Sequence, residues 1–248
     1  MPRRPPGSRD DSVWTRPAAV PGRSAPAFSR EEITRAAIGL ADDGGLGAVS
    51  MRRIAERIGS APTSIYWYVS DKSELYELMV DAVLGEIDLP EHLTGEWRAD
   101  LTTIAWASLV TYRRHSWFTQ LGIHPVPGPG TLRYAAIVLE SLTGSGLDEP
   151  TAIKVLATLN NYIFGFIQRE RAWQDLLARD KAPARWPQAA AAGGTGRPTG
   201  DPAPDRDLSA RLTLSGDEGF VFGLDRFLDG IAALVASRTR LRTPGGSG

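Results

Sequence analysis

The chain has 248 residues, 42% hydrophobic and 23% charged, with a formal net charge of −1, the balance of an ordinary globular protein with room for a small domain and a larger one. It has no cysteine, which excludes disulfides, zinc–thiolate sites and cysteine nucleophiles and fits a reducing cytosol. The start, MPRRPPGSRDD, has no apolar core of a signal peptide, and the longest apolar stretch, Val155 to Ile167, is short for a bilayer and carries two asparagines at its centre, so a cytoplasmic protein with no membrane partner is expected.

The charge is unevenly spread. Residues 1–30 hold Arg3, Arg4, Arg9, Arg16, Arg23 and Arg30 against Asp10 and Asp11, a net +4 in a proline-rich arm. Such an arm suits nucleic acid, although inert charged termini are common. We take 1–28 as a flexible basic arm.

From Phe28 onward the pattern is helical. Ser29 and Glu32 have capping-box spacing, Ile33, Ala36, Ala37 and Leu40 form one stripe, and Asp42-Asp43-Gly44-Gly45 stops the helix. Next comes SMRRIAERIGSAPTSIYWYVSDK, residues 50–72. In its first piece Ile54, Ala55 and Ile58 share a face; Gly59 permits a sharp turn and Pro62 suits the first position of a second helix. There Ile65 and Val69 face inward, which leaves Thr63, Ser64, Tyr66, Trp67 and Tyr68 to point elsewhere. A longer helix follows from Asp71 to about Leu84, with capping-box spacing at Asp71 and Glu74 and a stripe of Leu75, Leu78, Met79 and Ala82.

Further helices are expected from Trp97 to about His115, Thr131 to about Leu142, Thr151 to about Arg179 and Asp217 to about Arg238. Breakers at His124–Gly130 and Gly144–Pro150 separate them, and residues 182–206 read as an Ala-, Gly- and Pro-rich flexible loop. No segment shows strand alternation, so the fold class is all-α.

Helix, tight glycine turn and short second helix make the helix-turn-helix plan, whose second helix lies in the DNA major groove. Thr63 and Ser64 then meet base edges, while Tyr66, Tyr68 and Lys72 reach phosphates, and Arg52 reaches a base or a phosphate. A plain helical hairpin with a solvated polar face would carry the same spacing.

Residues 29–80 resemble the DNA-binding region of TetR-family transcriptional regulators, through the capped first helix ending in DDGG, SMRRIAERIG, and the block Tyr66-Trp67-Tyr68-Val69-Ser70-Asp71-Lys72 before a long helix. The resemblance implies a three-helix DNA-binding domain at 29–84. It places Arg52, Thr63, Ser64, Tyr66, Tyr68 and Lys72 at DNA-contacting positions, with Trp67 shared between packing and backbone contact. Trp97-Arg98, HPVPGPG and FVFGLDRFLDGI resemble the tetracycline-repressor branch. The first 28 residues are similar to the arms of some antibiotic-export repressors, which implies that Arg16 and Arg23 enter a minor groove.

Residues 85–240 would then form a ligand-binding and dimerisation domain. Polar groups among aromatics suit a small-molecule cavity: Trp106, Tyr112, His115, Trp117 and Phe118, then Asn160, Asn161, Phe164 and Gln168. Taken singly, each is as well explained as a core residue. A single recognition helix reads too little DNA, so a homodimer on a palindromic operator is expected, with Ala157, Gly165, Phe220, Leu224, Phe227 and Ile231 at its interface. The implied function is a ligand-responsive repressor released by a small hydrophobic or aromatic effector and controlling an exporter or biosynthetic gene. An activator or ligand-independent regulator on the same fold is the alternative. No cofactor or metal is expected, and the spacing of His92, His115 and His124 gives no metal or catalytic motif.

Overall fold

The computed structural model describes residues 13–14, 28–121, 127–178 and 216–242, and side chains within them except at 176–178 and 238–242. Arg16, Arg23, His124 and the expected loop at 182–206 lie outside the described residues. The described residues form helices and turns with no strand. They fall into two compact units, residues 1–145 and 146–248.

The first unit begins with α1 (Arg30–Gly44). Its capping box forms as expected: the Ser29 hydroxyl accepts from the Glu32 amide at 3.2 Å, and the Glu32 carboxylate accepts from the Ser29 amide at 2.6 Å. The expected stripe of Ile33, Ala36, Ala37 and Leu40 is buried. After a 3-10 turn at Leu46–Ala48 come α2 (Met51–Arg57), α3 (Pro62–Ile65) and α4 (Lys72–Gly85). At α4 the Asp71 carboxylate accepts from the Glu74 amide at 2.9 Å, but the Glu74 carboxylate turns one residue further back, to the Ser70 amide at 2.7 Å.

Helix α5 (Trp97–Arg114) leads through a 3-10 turn at Phe118–Gln120 to α6 (Pro129–Gly144). α6 starts two residues earlier than expected because Pro129 occupies its first turn, where a missing N–H costs nothing. Its N-cap is Gly128, which has no side chain to cap with. Asp81 of α4 supplies the cap instead. Its carboxylate accepts from the Gly130 amide at 3.0 Å and from the Thr131 amide and hydroxyl at 2.8 Å each. Gly130 is required here, since a β-carbon would run into the Asp81 carbonyl.

The second unit contains α7 (Glu149–Ala178) and α8 (Asp217–Arg242). α7 buries Ala152, Val155, Leu159, Ile163 and Phe166, and α8 buries Phe220, Leu224, Leu228 and Ile231. The Phe220 ring packs on Tyr162 and Phe166 at 5.4 and 5.2 Å, and the Tyr162 hydroxyl donates to the Phe220 carbonyl at 2.6 Å. The glycine at this approach is Gly223, where a β-carbon would meet the Tyr162 ring; Gly165, expected at the interface with a second copy, faces open space.

Candidate nucleic-acid interface and regulatory residues

The candidate interface is built on α2 and α3. Ser50 caps α2 by accepting from the Arg53 amide at 3.3 Å. The helix ends at Ile58, followed by Gly59 at φ +68°, and the Ser60 amide reaches back to the Ala55 carbonyl at 2.8 Å and the Gly59 amide to Glu56 at 3.4 Å. That pair of bonds is a Schellman ending. It turns the chain abruptly, and Pro62 starts α3.

α3 has four residues, and the Trp67, Tyr68 and Val69 amides continue its turn by bonding to Ser64 and Ile65 carbonyls. Ile65 and Val69 are fully buried, as expected. Burial of each such side chain stabilises by about 1.5–3 kcal/mol, which fixes the rotation of the segment. Thr63 is exposed, Ser64 half-buried, and Tyr66 and Trp67 are 51% and 58% exposed. Trp67 thus projects further than a packing role requires.

Tyr68 corrects an expectation. It is buried, its ring 5.1 Å from Phe28, because it follows the turn that carries Ile65 and Val69 inward. Tyr66 and Trp67 form the outward aromatic pair. Lys72 is exposed on the first turn of α4, its ammonium 5.3 Å from the Tyr76 ring centroid. A cation there opposes the helix dipole, whereas a phosphate would be attracted by both.

On α2 the three arginines have different fates. Arg53 donates to the Ala48 carbonyl at 3.1 Å and Arg57 to the Asp43 carboxylate at 2.9 Å. Arg52 projects outward with Glu56, the pair at 2.8 Å and mostly solvent-exposed.

Comparison with known proteins decides the family. Residues 33–79 match the family described as bacterial regulatory proteins, tetR family, and residues 89–235 match the tetracyclin repressor-like C-terminal domain. The chain belongs to the TetR family. It is similar to the HTH-type transcriptional repressor DrrR1 of Streptomyces coeruleorubidus, 32% identical over 86% of this chain and 80% of that protein. An HTH-type transcriptional regulator of Saccharopolyspora erythraea is 31% identical over 66% of this chain and 69% of its own length. The TetR-family protein ActR of Streptomyces coelicolor, solved in complex with (S)-DNPA, shares the fold at a TM-score of 0.63, with 23% identity over 85% of this chain and all of that one. The TetR family consists of DNA-binding transcriptional regulators, not enzymes.

In this TetR-family chain the residues expected to bind ligand fall in both units. In the first, Tyr112 is fully buried and stacks on Phe118 at 4.6 Å, and Trp106 is half-buried. Burial raises the Tyr112 hydroxyl well above its ordinary range, helped by neighbouring Tyr134. Burial likewise pushes Tyr134 up to about 12, against the opposing effect of a hydrogen bond with Ser108. Ser108, Tyr112 and Tyr134 thus form a neutral hydroxyl cluster in an apolar setting.

His115 and Trp117, also expected in the pocket, have structural partners instead. His115 is 2.9 Å from Asp42 through Nδ1 and 2.9 Å from Glu86 through Nε2, and the Trp117 indole donates to the same Asp42 oxygen at 2.6 Å. These contacts tie the end of α5 to the ends of α1 and α4. Asp42, whose part in this lock the sequence pattern did not reveal, sits in the last turn of α1, where the dipole opposes a carboxylate; the lock offsets that cost.

In the second unit Asn160 and Phe164 are half-buried, and Asn161 and Gln168 are exposed. A cleft of about 720 Å³ is lined by Phe28, Arg35, Arg57 and Ser60, and another of about 520 Å³ by Trp14, Arg35, Asp81 and Pro129. Neither is lined by the expected ligand residues.

The expected dimer residues are corrected in part. Phe220, Leu224 and Ile231 are buried within the single chain, and the Phe220 ring packs on Tyr162 and Phe166. Ala157 and Gly165 are exposed and Phe227 is half-buried. Among the described residues of these helices, the large apolar side chains left outward are Ile153 on α7 and Val221, Phe222 and Leu234 on α8.

Proposed function

We propose that this chain is a homodimeric, ligand-responsive transcriptional repressor that binds a palindromic operator through α3 and is released by a small hydrophobic or aromatic effector. The observation that carries the reading is the exposed Thr63, Tyr66 and Trp67 beside Lys72, on a segment whose rotation is fixed by buried Ile65 and Val69. A monomer spending two large aromatics on solvent gains nothing; against a DNA backbone they position the helix, and Thr63 with half-buried Ser64 meets base edges. Repression follows the similarity to DrrR1, and an exporter or biosynthetic gene is the expected target.

The functional division is 29–84 for DNA and 85–240 for effector and dimerisation. The Ser108–Tyr112–Tyr134 cluster supplies placed polar groups in an apolar interior. Effector binding there shifts α5 and α6, and the Asp42–His115–Glu86 lock passes the shift to α1 and α4. The ligand thereby favours a state with wrongly spaced recognition helices, and its differential affinity for the two states sets the release. The second copy docks on Ile153, Val221, Phe222 and Leu234. No described helix is long and apolar enough to cross a membrane, in keeping with a cytoplasmic regulator.

The test is binding to the intergenic DNA beside the chain's own gene, over a range of salt and with candidate effectors. A salt-dependent preference for a palindrome there, weakened by one effector, supports the reading; no preference for any such DNA sinks it. Replacing Arg16 and Arg23 with alanine lowers affinity if the arm enters the minor groove, and unchanged affinity removes it from the interface.

A further inference from the structure

Two residues of the N-terminal extension have a defined seat. Val13 is buried at 2% exposure, and its carbonyl accepts from the Arg30 guanidinium at 3.0 Å. Trp14 lines the cleft of about 520 Å³ together with Arg35 and Ile38 of α1, Leu78 and Asp81 of α4, and Pro129 of α6. Its indole lies where a β-carbon on Gly128 would be, so the backbone before α6 accepts the ring only because residue 128 is glycine. The seat therefore draws on three helices at once. It lies where Asp81 of α4 caps the start of α6.

We propose that Val13 and Trp14 are a strap that fastens the N-terminal extension to the α1–α4–α6 joint and braces that joint. Arg30 grips the strap's backbone and the joint grips its ring. Because the ring needs α1, α4 and α6 in their present relation, displacement of α6 against α4 opens the seat and releases the extension. Arg3, Arg4 and Arg9 precede the strap, and Arg16 and Arg23 follow it, so its release changes the tether on both groups of charge. The net +4 of the extension gives no reason for a buried valine and a half-buried tryptophan; packing into the joint does.

The test needs no DNA and stands apart from the function proposed above. The full chain is compared with chains lacking residues 1–12 or 1–14 and with Trp14→Phe and Trp14→Ala, by thermal melting and by amide hydrogen exchange at Gly130 and Thr131. Loss of residues 1–12 leaves both readouts at those of the full chain. Loss of 1–14, and Trp14→Ala, lower the melting temperature by about 3–8 °C and speed exchange of the two amides roughly tenfold, with Trp14→Phe between. If the chain lacking 1–14 matches the chain lacking 1–12, the strap does not exist. If its melting temperature falls while the exchange of Gly130 and Thr131 is unchanged, the seat is not at the α6 joint and the proposal is equally overturned.

Discussion

Replacing Asp42 tests the lock at the end of α5 most sharply. The Asp42 carboxylate accepts from the Trp117 indole at 2.6 Å and faces His115 Nδ1 at 2.9 Å, and both partners are buried at 1% and 3% exposure. A hydrogen bond to a charged group contributes about 1.5–3 kcal/mol, and a buried donor left without its acceptor costs about 1–3 kcal/mol. Two offsets apply. The Asp42 side chain is 31% exposed, so water reclaims part of the loss, and alanine relieves the unfavourable dipole of the last turn of α1, about 0.3–1 kcal/mol. Asp42→Ala should therefore destabilise by about 2–4 kcal/mol. Asp42→Asn keeps the Oδ1 acceptor and loses only charge, for about 1 kcal/mol. Urea denaturation followed by circular dichroism, at one protomer concentration because the proposed self-association would contribute to stability, reads both as shifts in midpoint at constant slope. An Asp42→Ala variant within about 0.5 kcal/mol of the parent, or an asparagine variant that loses as much as alanine, would refute the lock.

Three further outcomes follow from the same geometry. Gly59→Ala has free space around its new methyl but a backbone at φ +68°, and should lose about 1–2 kcal/mol in the same denaturation assay; no loss would mean that the turn is not held at positive φ. Tyr134 has its folded pKa raised from 10.0 to about 12 by burial, so its contribution is intact below pH 10 and drains as pH rises toward 12, at up to about 1.4 kcal/mol per pH unit. Tyr134→Phe should flatten the alkaline limb of a stability–pH curve, and an unchanged limb would contradict burial of that hydroxyl. Phe222 is 63% exposed, so Phe222→Glu should leave the helical spectrum intact while shifting sedimentation toward monomer; an unaltered dimer would move the interface elsewhere.

Local chemistry explains which features were legible in the sequence. The caps at Ser29 and Asp71 and the inward pair Ile65 and Val69 depend on residues three or four apart, and the pattern shows them directly. The Gly59–Pro62 turn is equally local, so the helix-turn-helix and its exposed Thr63 could be read before any coordinates. Asp42 could not: its partners His115 and Trp117 are 73 and 75 residues away, and DDGG read only as a helix stop. Asp81 is the same case, capping a helix 49 residues on because Gly128 cannot. The α8 stripe was found, but a stripe states that a face is buried, not against what; Phe220, Leu224 and Ile231 meet their own chain instead of a second copy. Tyr68 lies three residues after Ile65 and next to Val69, so helical spacing carries it to the buried face and sets it apart from Tyr66 and Trp67.

The central claim, that α3 and the start of α4 form a two-fold DNA interface, is tested most directly by the salt dependence of binding to a selected palindrome, with Lys72→Ala beside the parent. Each lost phosphate contact reduces the slope of log affinity against log salt by about 0.9. A dimer loses two such contacts, so the account predicts a slope shallower by about 2 with sequence preference unchanged. A slope identical to the parent's, or no palindrome selected at all, would contradict it.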